Sequence, residues 1–140
     1  MAAKTYDPKK VSIIFGVVQL SGFSENSKVK VSQRENAFNL TVGVDGEGMR
    51  VKSNDSSATI EIELLQTSLS NNYLDTIANL DKAGNAGALP LIVREADGAT
   101  VLMCETAWVM KKPDVEFGSD STPRVWVLET DSMQSFIGGL

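Results

Sequence analysis

The chain has 140 residues, 42% of them apolar, with a formal net charge of −5, one cysteine and no histidine. This length suits a single domain spanning residues 1–140, and a chain of this size buries about 68–70% of its unfolded surface, so it needs neither metal nor disulfide to fold. The lone Cys104 excludes an intramolecular disulfide and fits a reducing compartment. Without histidine, a Ser-His-Asp triad and a Cys/His zinc site are excluded within one chain, and the acidic balance argues against gripping nucleic acid through its phosphates.

The opening MAAKTYDPKK has no apolar h-region, and no apolar run approaches the roughly 18 residues of a membrane span. Neither a signal peptide nor a membrane partner is therefore expected. Tyr6-Asp7-Pro8 is turn-like. In the strand that follows, Val11, Ile13, Phe15 and Val17 alternate with Ser12, Ile14, Gly16 and Val18. Both faces are largely apolar, so this strand is expected to be covered on two sides or to lie at a subunit contact. Gly16 in its middle predicts a bulge or a close backbone approach. Ser21 to Ser27 is a turn. A short strand follows with Val29 and Val31 on one face and Lys28, Lys30 and Ser32 on the other. Arg34-Glu35-Asn36 breaks it. Phe38, Leu40, Val42 and Val44 then alternate in a strand that turns at Asp45-Gly46-Glu47-Gly48 and returns from Met49 to Ser53. Asn54-Asp55-Ser56-Ser57 turns again.

Residues 58–89 hold one strand, one helix and the break between them. Ile60, Ile62 and Leu64 fall on one face and Thr59, Glu61 and Glu63 on the other, the period of a half-buried strand. The period then changes. Leu69, Tyr73, Leu74, Ile77, Ala78 and Leu80 form an apolar helical stripe, which predicts a helix over 70–82. Ser70 is the expected N-cap, Leu69 and Leu74 the expected hydrophobic staple, and Gly84 the stop.

Asn85 to Ala88 is a loop of small residues, Leu89 to Glu95 a strand, and Asp97-Gly98 a hairpin signal. Thr100 to Met110 is the longest strand pattern. Lys111 to Thr122 is a polar loop and Pro123 to Thr130 a final strand. Met133 to Leu140 is read as a tail, with Phe136, Ile137 and Leu140 too apolar for a free end. About eight strands, one helix and turns every 8–12 residues predict a mainly β fold: an antiparallel β-sandwich or barrel with one flanking α-helix.

No motif carries catalysis. Glu61 and Glu63 are paired carboxylates of the kind glycosidases use, but a solvated strand face, matched across the sheet by Arg50 or Lys52, accounts for them more simply. Gly43 to Gly48 is glycine-rich but lacks the Gly-Lys-Ser/Thr and following helix of a phosphate loop, and the regular oxygen spacing of a calcium loop. Cys104 reads as a small core residue. Trp108 and Trp126 read as packing residues; the alternative is a monomeric β-domain binding a small ligand or carbohydrate through them. No enzyme activity and no cofactor are expected. Long hairpins and an apolar tail leave strand edges and sticky ends, which invite self-assembly.

Several stretches in order resemble the tail tube proteins of contractile-tailed bacteriophages: Tyr6-Asp7-Pro8, Ile14-Phe15-Gly16, Ser21-Gly22-Phe23, Gly43-Val44-Asp45-Gly46, Arg50-Val51, Ser53-Asn54-Asp55 and Leu65 to Asn71. The resemblance implies a fold shared with the Hcp ring of type VI secretion. It also implies hexameric rings that stack into a hollow tube, an inner wall made of strands from all six subunits, and a contractile sheath outside. The implied partners are further copies of the chain, the tail sheath protein, and baseplate and tail terminator proteins. DNA would pass through the lumen without specific binding. The implied location is the virion tail, assembled in the host bacterial cytoplasm. A tube protein of a related contractile secretion system is the alternative. Six copies at −5 give −30 per ring, the sign that lets DNA slide past. On this reading the lumen-barrel and inter-subunit candidates are Val42, Val44, Arg50, Val51, Lys52, Ile60, Glu61 and Glu63. The turns expected to reach the neighbouring ring hold Asp45, Gly46, Glu47 and Gly48, and Asn54 and Asp55.

Overall fold

The computed structural model describes residues 3–139. Its strands are β1 (Val11–Phe15), β2 (Val18–Gln19), β3 (Val29–Gln33), β4 (Phe38–Val42), β5 (Gly48–Lys52), β6 (Ala58–Leu64), β7 (Leu89–Glu95), β8 (Val101–Lys111), β9 (Arg124–Thr130) and β10 (Met133–Phe136). One helix, α1 (Ser70–Gly84), lies between β6 and β7. The main sheet is antiparallel throughout and runs β2-β1-β7-β8-β9-β6-β3, with β10 also on β8. β4 and β5 form a separate two-stranded sheet.

Backbone bonds from the segment after β2 close the main sheet. Leu20 N–H donates to Ile13 O (2.8 Å) on β1, while Leu65 N–H donates to Gly22 O (2.8 Å) and Ser24 N–H to Glu63 O (3.0 Å) at the end of β6. Residues 18–24 therefore tie the first strand to the end of the sixth and make the body a barrel, in which β3 keeps an open edge. The core is the inward row of each strand: Ile13 and Phe15 on β1, Ile60, Ile62 and Leu64 on β6, Leu91 on β7, and Trp126 and Leu128 on β9, all buried. The alternation of β6 holds as read, with Thr59, Glu61 and Glu63 outward.

β9 and β10 act as one long strand. Thr130 sits opposite Ala107 and Met133 opposite Cys104, the same register on β8, with a break at Asp131 and Ser132. Buried Thr130 fills the break: its hydroxyl donates to Thr106 O (2.7 Å) and accepts from Ser132 N–H (3.3 Å). The expected tail is thus half strand. Phe136 and Ile137 beyond it remain exposed, and Leu140 lies outside the described residues.

Local expectations are corrected at three places. Gly16 is not a bulge, although the close approach expected there is present, since a Cβ on it would lie 2.8 Å from the Tyr73 hydroxyl. It has φ +66 and, with Val17, forms the two-residue turn between β1 and β2, the pattern of a type II′ hairpin; Val17 is left in water. The helix starts differently. Leu69 takes the cap position without a side-chain bond and is 80% exposed, so it staples nothing. Ser68 does the capping, accepting Ser70 N–H at 3.2 Å, while the Ser70 hydroxyl accepts Ser21 N–H at 2.9 Å. The helix also runs through Gly84 and ends at Asn85, which takes the left-handed conformation at φ 57 and bonds Asp81 O.

The helix lies over the barrel end where β1 stops and β9 starts. Leu74 is its fully buried side chain; Leu80, expected in the stripe, is half exposed. The Tyr73 hydroxyl donates to Phe15 O (2.8 Å) and its ring meets Phe15 edge-on at 6.3 Å. Trp126 Nε1 donates to Asn71 Oδ1 at 2.9 Å. We expect Leu74→Ala to cost about 2–5 kcal/mol by chemical denaturation. Leu40→Ser, on exposed β4, should stay within about 0.5 kcal/mol. Burial raises the Tyr73 pKa. Its contribution is fully present below the ordinary tyrosine value of about 10 and fades as pH rises through the raised folded value. Tyr73→Phe should abolish that share of the alkaline loss in a pH series of melts.

Candidate assembly surface

Every residue from 32 to 52 is exposed. This run leaves the barrel where β3 ends, forms β4 and β5, and rejoins it where β6 starts, so the β4–β5 arm and the helix emerge from opposite ends of β6. The arm turns through Val44, Asp45 and Gly46. Gly46 N–H donates to Gly43 O (3.0 Å), Gly46 has φ +89, and Gly43 N–H donates to Glu47 O (2.8 Å). This is a type I turn closed by a glycine in the left-handed region, a three-residue hairpin loop. Asp45 Oδ1 accepts Glu47 N–H at 3.2 Å and braces it.

The two faces of the arm differ. Phe38, Leu40 and Val42 stand opposite Lys52, Arg50 and Gly48 on one face, an apolar row beside a basic one. The Arg50 guanidinium lies over the Phe38 ring, 4.2 Å from its centroid. The other face sets Asn39 and Thr41 opposite Val51 and Met49. Six large apolar side chains of the arm are exposed: Phe38, Leu40, Val42, Val44, Met49 and Val51. Such a concentration marks an interaction surface.

The root is fastened. The Arg34 guanidinium pairs with the Glu129 carboxylate on β9, Arg34 N–H donates to Ser57 O (3.2 Å), and Ser53 N–H donates to Ala37 O (2.9 Å). Asp55 Oδ1 accepts Ser57 N–H at 2.9 Å; hydrogen bonds from Ser57 are the main cause holding the Asp55 carboxyl below its usual pKa.

Of the candidate residues, Val42, Val44, Arg50, Val51 and Lys52 share the arm, and Asp45, Gly46, Glu47 and Gly48 form its tip. Asn54 and Asp55 sit at the root, so the two turns occupy opposite ends of the arm. Ile60 points into the barrel at 1% exposure and offers a neighbour no side chain. Glu61 and Glu63 face outward on β6, with Lys30 of β3 opposite Glu61 and Val125 of β9 opposite Glu63; the expected match with Arg50 or Lys52 is not formed. Phe38, Leu40 and Met49 were missing from the candidates, although alternation in the sequence marks their faces.

The residues weighed for catalysis or ligand binding are not brought together among the described residues. Among the described residues no group of three or more acidic or cysteine side chains is placed to hold a metal. Cys104 is buried in the core, and burial pushes its thiol pKa up. Trp126 points inward opposite Ile62 while Trp108 points outward opposite Glu129, so the two indoles cannot stack one ligand between them. A cleft of about 520 Å³ lies between α1 and the 112–124 segment, lined by Asn71, Asp75, Lys112, Val115, Arg124 and Trp126. The ion pair between Lys112 and Asp75 (2.8 Å) crosses it.

The sequence model of the bacteriophage PhiTE tail tube protein family matches residues 11–138. The chain belongs to that family. It is a structural protein of the phage tail and not an enzyme. A curated relative, the structural protein ORF10 of Pseudomonas phage KPP10, is 28% identical over 143 residues, covering 96% of this chain and 83% of the relative. Two solved structures share the fold. One is the PVC sheath/tube terminator of an extracellular contractile injection system, with TM-score 0.63 and 11% identity over 98% of this chain and 100% of that one. The other is the tube-terminating cap of the anti-feeding prophage, with TM-score 0.61 and 10% identity over 97% and 94%. In both, the likeness extends over nearly the whole of this chain.

The free tail tube family chain should open at its arm first. Arg50 and Lys52 form no ion pair among the described residues, whereas Arg34 is held by Glu129. Brief trypsin treatment followed by mass spectrometry should show cuts after Arg50 and Lys52 before any in β6 to β9. First cuts within the barrel would mean that the arm is not the least protected part.

Proposed function

We propose that this chain forms hexameric rings that stack into the inner tube of a contractile phage tail, the conduit for DNA ejection. The observation that carries the reading is the arm: a two-stranded ladder bearing six exposed large apolar side chains beside a barrel that is closed without it. Two strands alone are marginal in water, so the arm calls for further partners. Membership of the tail tube family points to copies of the same chain as those partners.

In the proposed tube the arm and the outward face of β6 contribute to the lumen wall, and the tip at Asp45 to Gly48 and the root turn at Asn54 and Asp55 reach the neighbouring ring. The outward face of β6 and β9 carries Glu61, Glu63 and Glu129, with Lys30 beside Glu61 and Arg34 on Glu129. With Arg50 and Lys52 of the arm beside them the wall is of mixed sign, while the ring as a whole carries −30 over six copies at −5, a balance that disfavours gripping the DNA backbone. The sheath protein surrounds the tube, baseplate and terminator proteins close its ends, and assembly takes place in the host cytoplasm.

Electron microscopy and light scattering across a concentration series test this reading. Hollow rings or tubes of one width are expected, and a strict monomer under all conditions, including with pre-formed tubes as seeds, contradicts it. Val51 and Asn39 are a bonded pair in the arm ladder, as the flanking bonds at Ala37–Ser53 and Gly43–Glu47 require. Val51→Pro removes that N–H, so it should block tubes while the monomer keeps its melting temperature. Val44 is the second residue of a type I turn, which accepts proline, so Val44→Pro should leave assembly intact.

A further inference from the structure

The ring reading leaves open which surface receives the arm, and the inference that follows rests on that reading. β3 has a partner on one side only. Glu63 N–H bonds Lys28 O and Arg34 N–H bonds Ser57 O, so the pairs bonded to β6 are Lys30–Glu61 and Ser32–Thr59. Val29, Val31 and Gln33 therefore aim their N–H and C=O groups away from β6. Among the described residues those groups have no partner. In the arm, the bonds at Gly43–Glu47 and Ala37–Ser53 make Thr41–Met49 and Asn39–Val51 the bonded pairs. The outer edge of β4 thus presents the backbone groups of Phe38, Leu40 and Val42, and that of β5 those of Gly48, Arg50 and Lys52.

We propose that β4 pairs antiparallel with the free edge of β3 in a second copy, setting Val42 opposite Val29, Leu40 opposite Val31 and Phe38 opposite Gln33. Side-chain chemistry selects this arrangement from four. With β4 antiparallel, outward-bonding residues stand directly opposite one another. Leu40 and Val42 then continue the apolar inward row of Val31 and Val29, and Asn39 and Thr41 continue the polar row of Lys30 and Ser32. With β4 parallel, the rows shift by one residue. Phe38, Leu40 and Val42 then join Lys30 and Ser32, and Asn39 and Thr41 fall among the valines. With β5 antiparallel, Arg50 and Lys52 are set among the valines. With β5 parallel, they come beside Lys30, with like charges on one face.

The same register is open to β4 folding back on its own β3, but the root opposes it. No residue from 34 to 37 has a positive φ, Arg34 carries the ladder on to Ser57, and its guanidinium is tied to Glu129. The chain runs on into the arm instead of reversing, which leaves both edges for other copies.

Mixed cysteine variants test the pairing. Directly opposite residues of a bonded antiparallel pair have Cα atoms about 5.5 Å apart, within disulfide reach. Separately purified Val31→Cys and Leu40→Cys proteins are mixed, brought to assembly conditions and oxidised. Cys104 is 4% exposed and does not compete. A disulfide-linked dimer is expected on a non-reducing gel from the mixture and from neither protein alone, and Val31→Cys with Met49→Cys should give none. Gln33→Cys with Phe38→Cys, both at exposed positions, should repeat the result even if Val31→Cys misfolds. No dimer from either mixture overturns the pairing. So does a Val31→Cys/Leu40→Cys double variant that closes only within its own chain. Micrographs of the same samples separate the two failures: rings without the cross-link overturn the pairing alone, and neither rings nor cross-link overturns the ring reading with it.

Discussion

A two-stranded ribbon with both outer edges unpaired and its apolar side chains in water has little to hold it but its own ladder. That is the condition of β4 and β5. Each unpaired edge presents backbone donors and acceptors to solvent, and each exposed Leu or Val forgoes the burial that stabilises strands elsewhere in the molecule. The charged residues of the arm do not relieve this. Arg50 shields one face of Phe38, and Asp45 and Glu47 keep the tip soluble, yet the apolar row on β4 stays exposed. The fold tolerates such a ribbon because its stability comes from elsewhere.

That stability lies in the barrel. Residues 18–24 bridge β1 and β6, so the body closes on itself without the arm. Buried Leu74 seats the helix on one end, with Tyr73 bonded to Phe15 and Asn71 accepting from Trp126 of the barrel wall. β10 resumes on β8 the register that β9 holds at Leu128 to Thr130, and Thr130 carries the chain over the break between them. The division of labour follows from these contacts. A self-sufficient body carries an appendage that its own contacts leave uncovered, which is what the proposed association of copies requires.

The sequence showed faces well and partners poorly. The strict alternation of Ile60, Ile62 and Leu64 against Glu61 and Glu63 located β6 and its buried side because one face is core and the other water. The bounds of β7 matched for the same reason. Phe38, Leu40 and Val42 alternate equally cleanly, so periodicity could not say that their apolar face looks outward from the molecule; that depends on which strands pair, a non-local matter. It is also why Ile60 was grouped with the arm residues although it belongs to the core. Ser68 and Ser70 are both good caps on local grounds, and only their bonds to the distant Ser21 decide between them. The turn at Gly16 was hidden inside an apolar run that continues through it.

Amide hydrogen exchange of residues 38–52, compared between the dilute monomer and the assembled protein, tests the central claim most directly. The account predicts fast exchange through the arm of the monomer, beside slow exchange in β6 and β9, and strong protection of the same arm amides after assembly. An arm already as protected as the barrel in the monomer, or left unprotected in the assembled state, would contradict it.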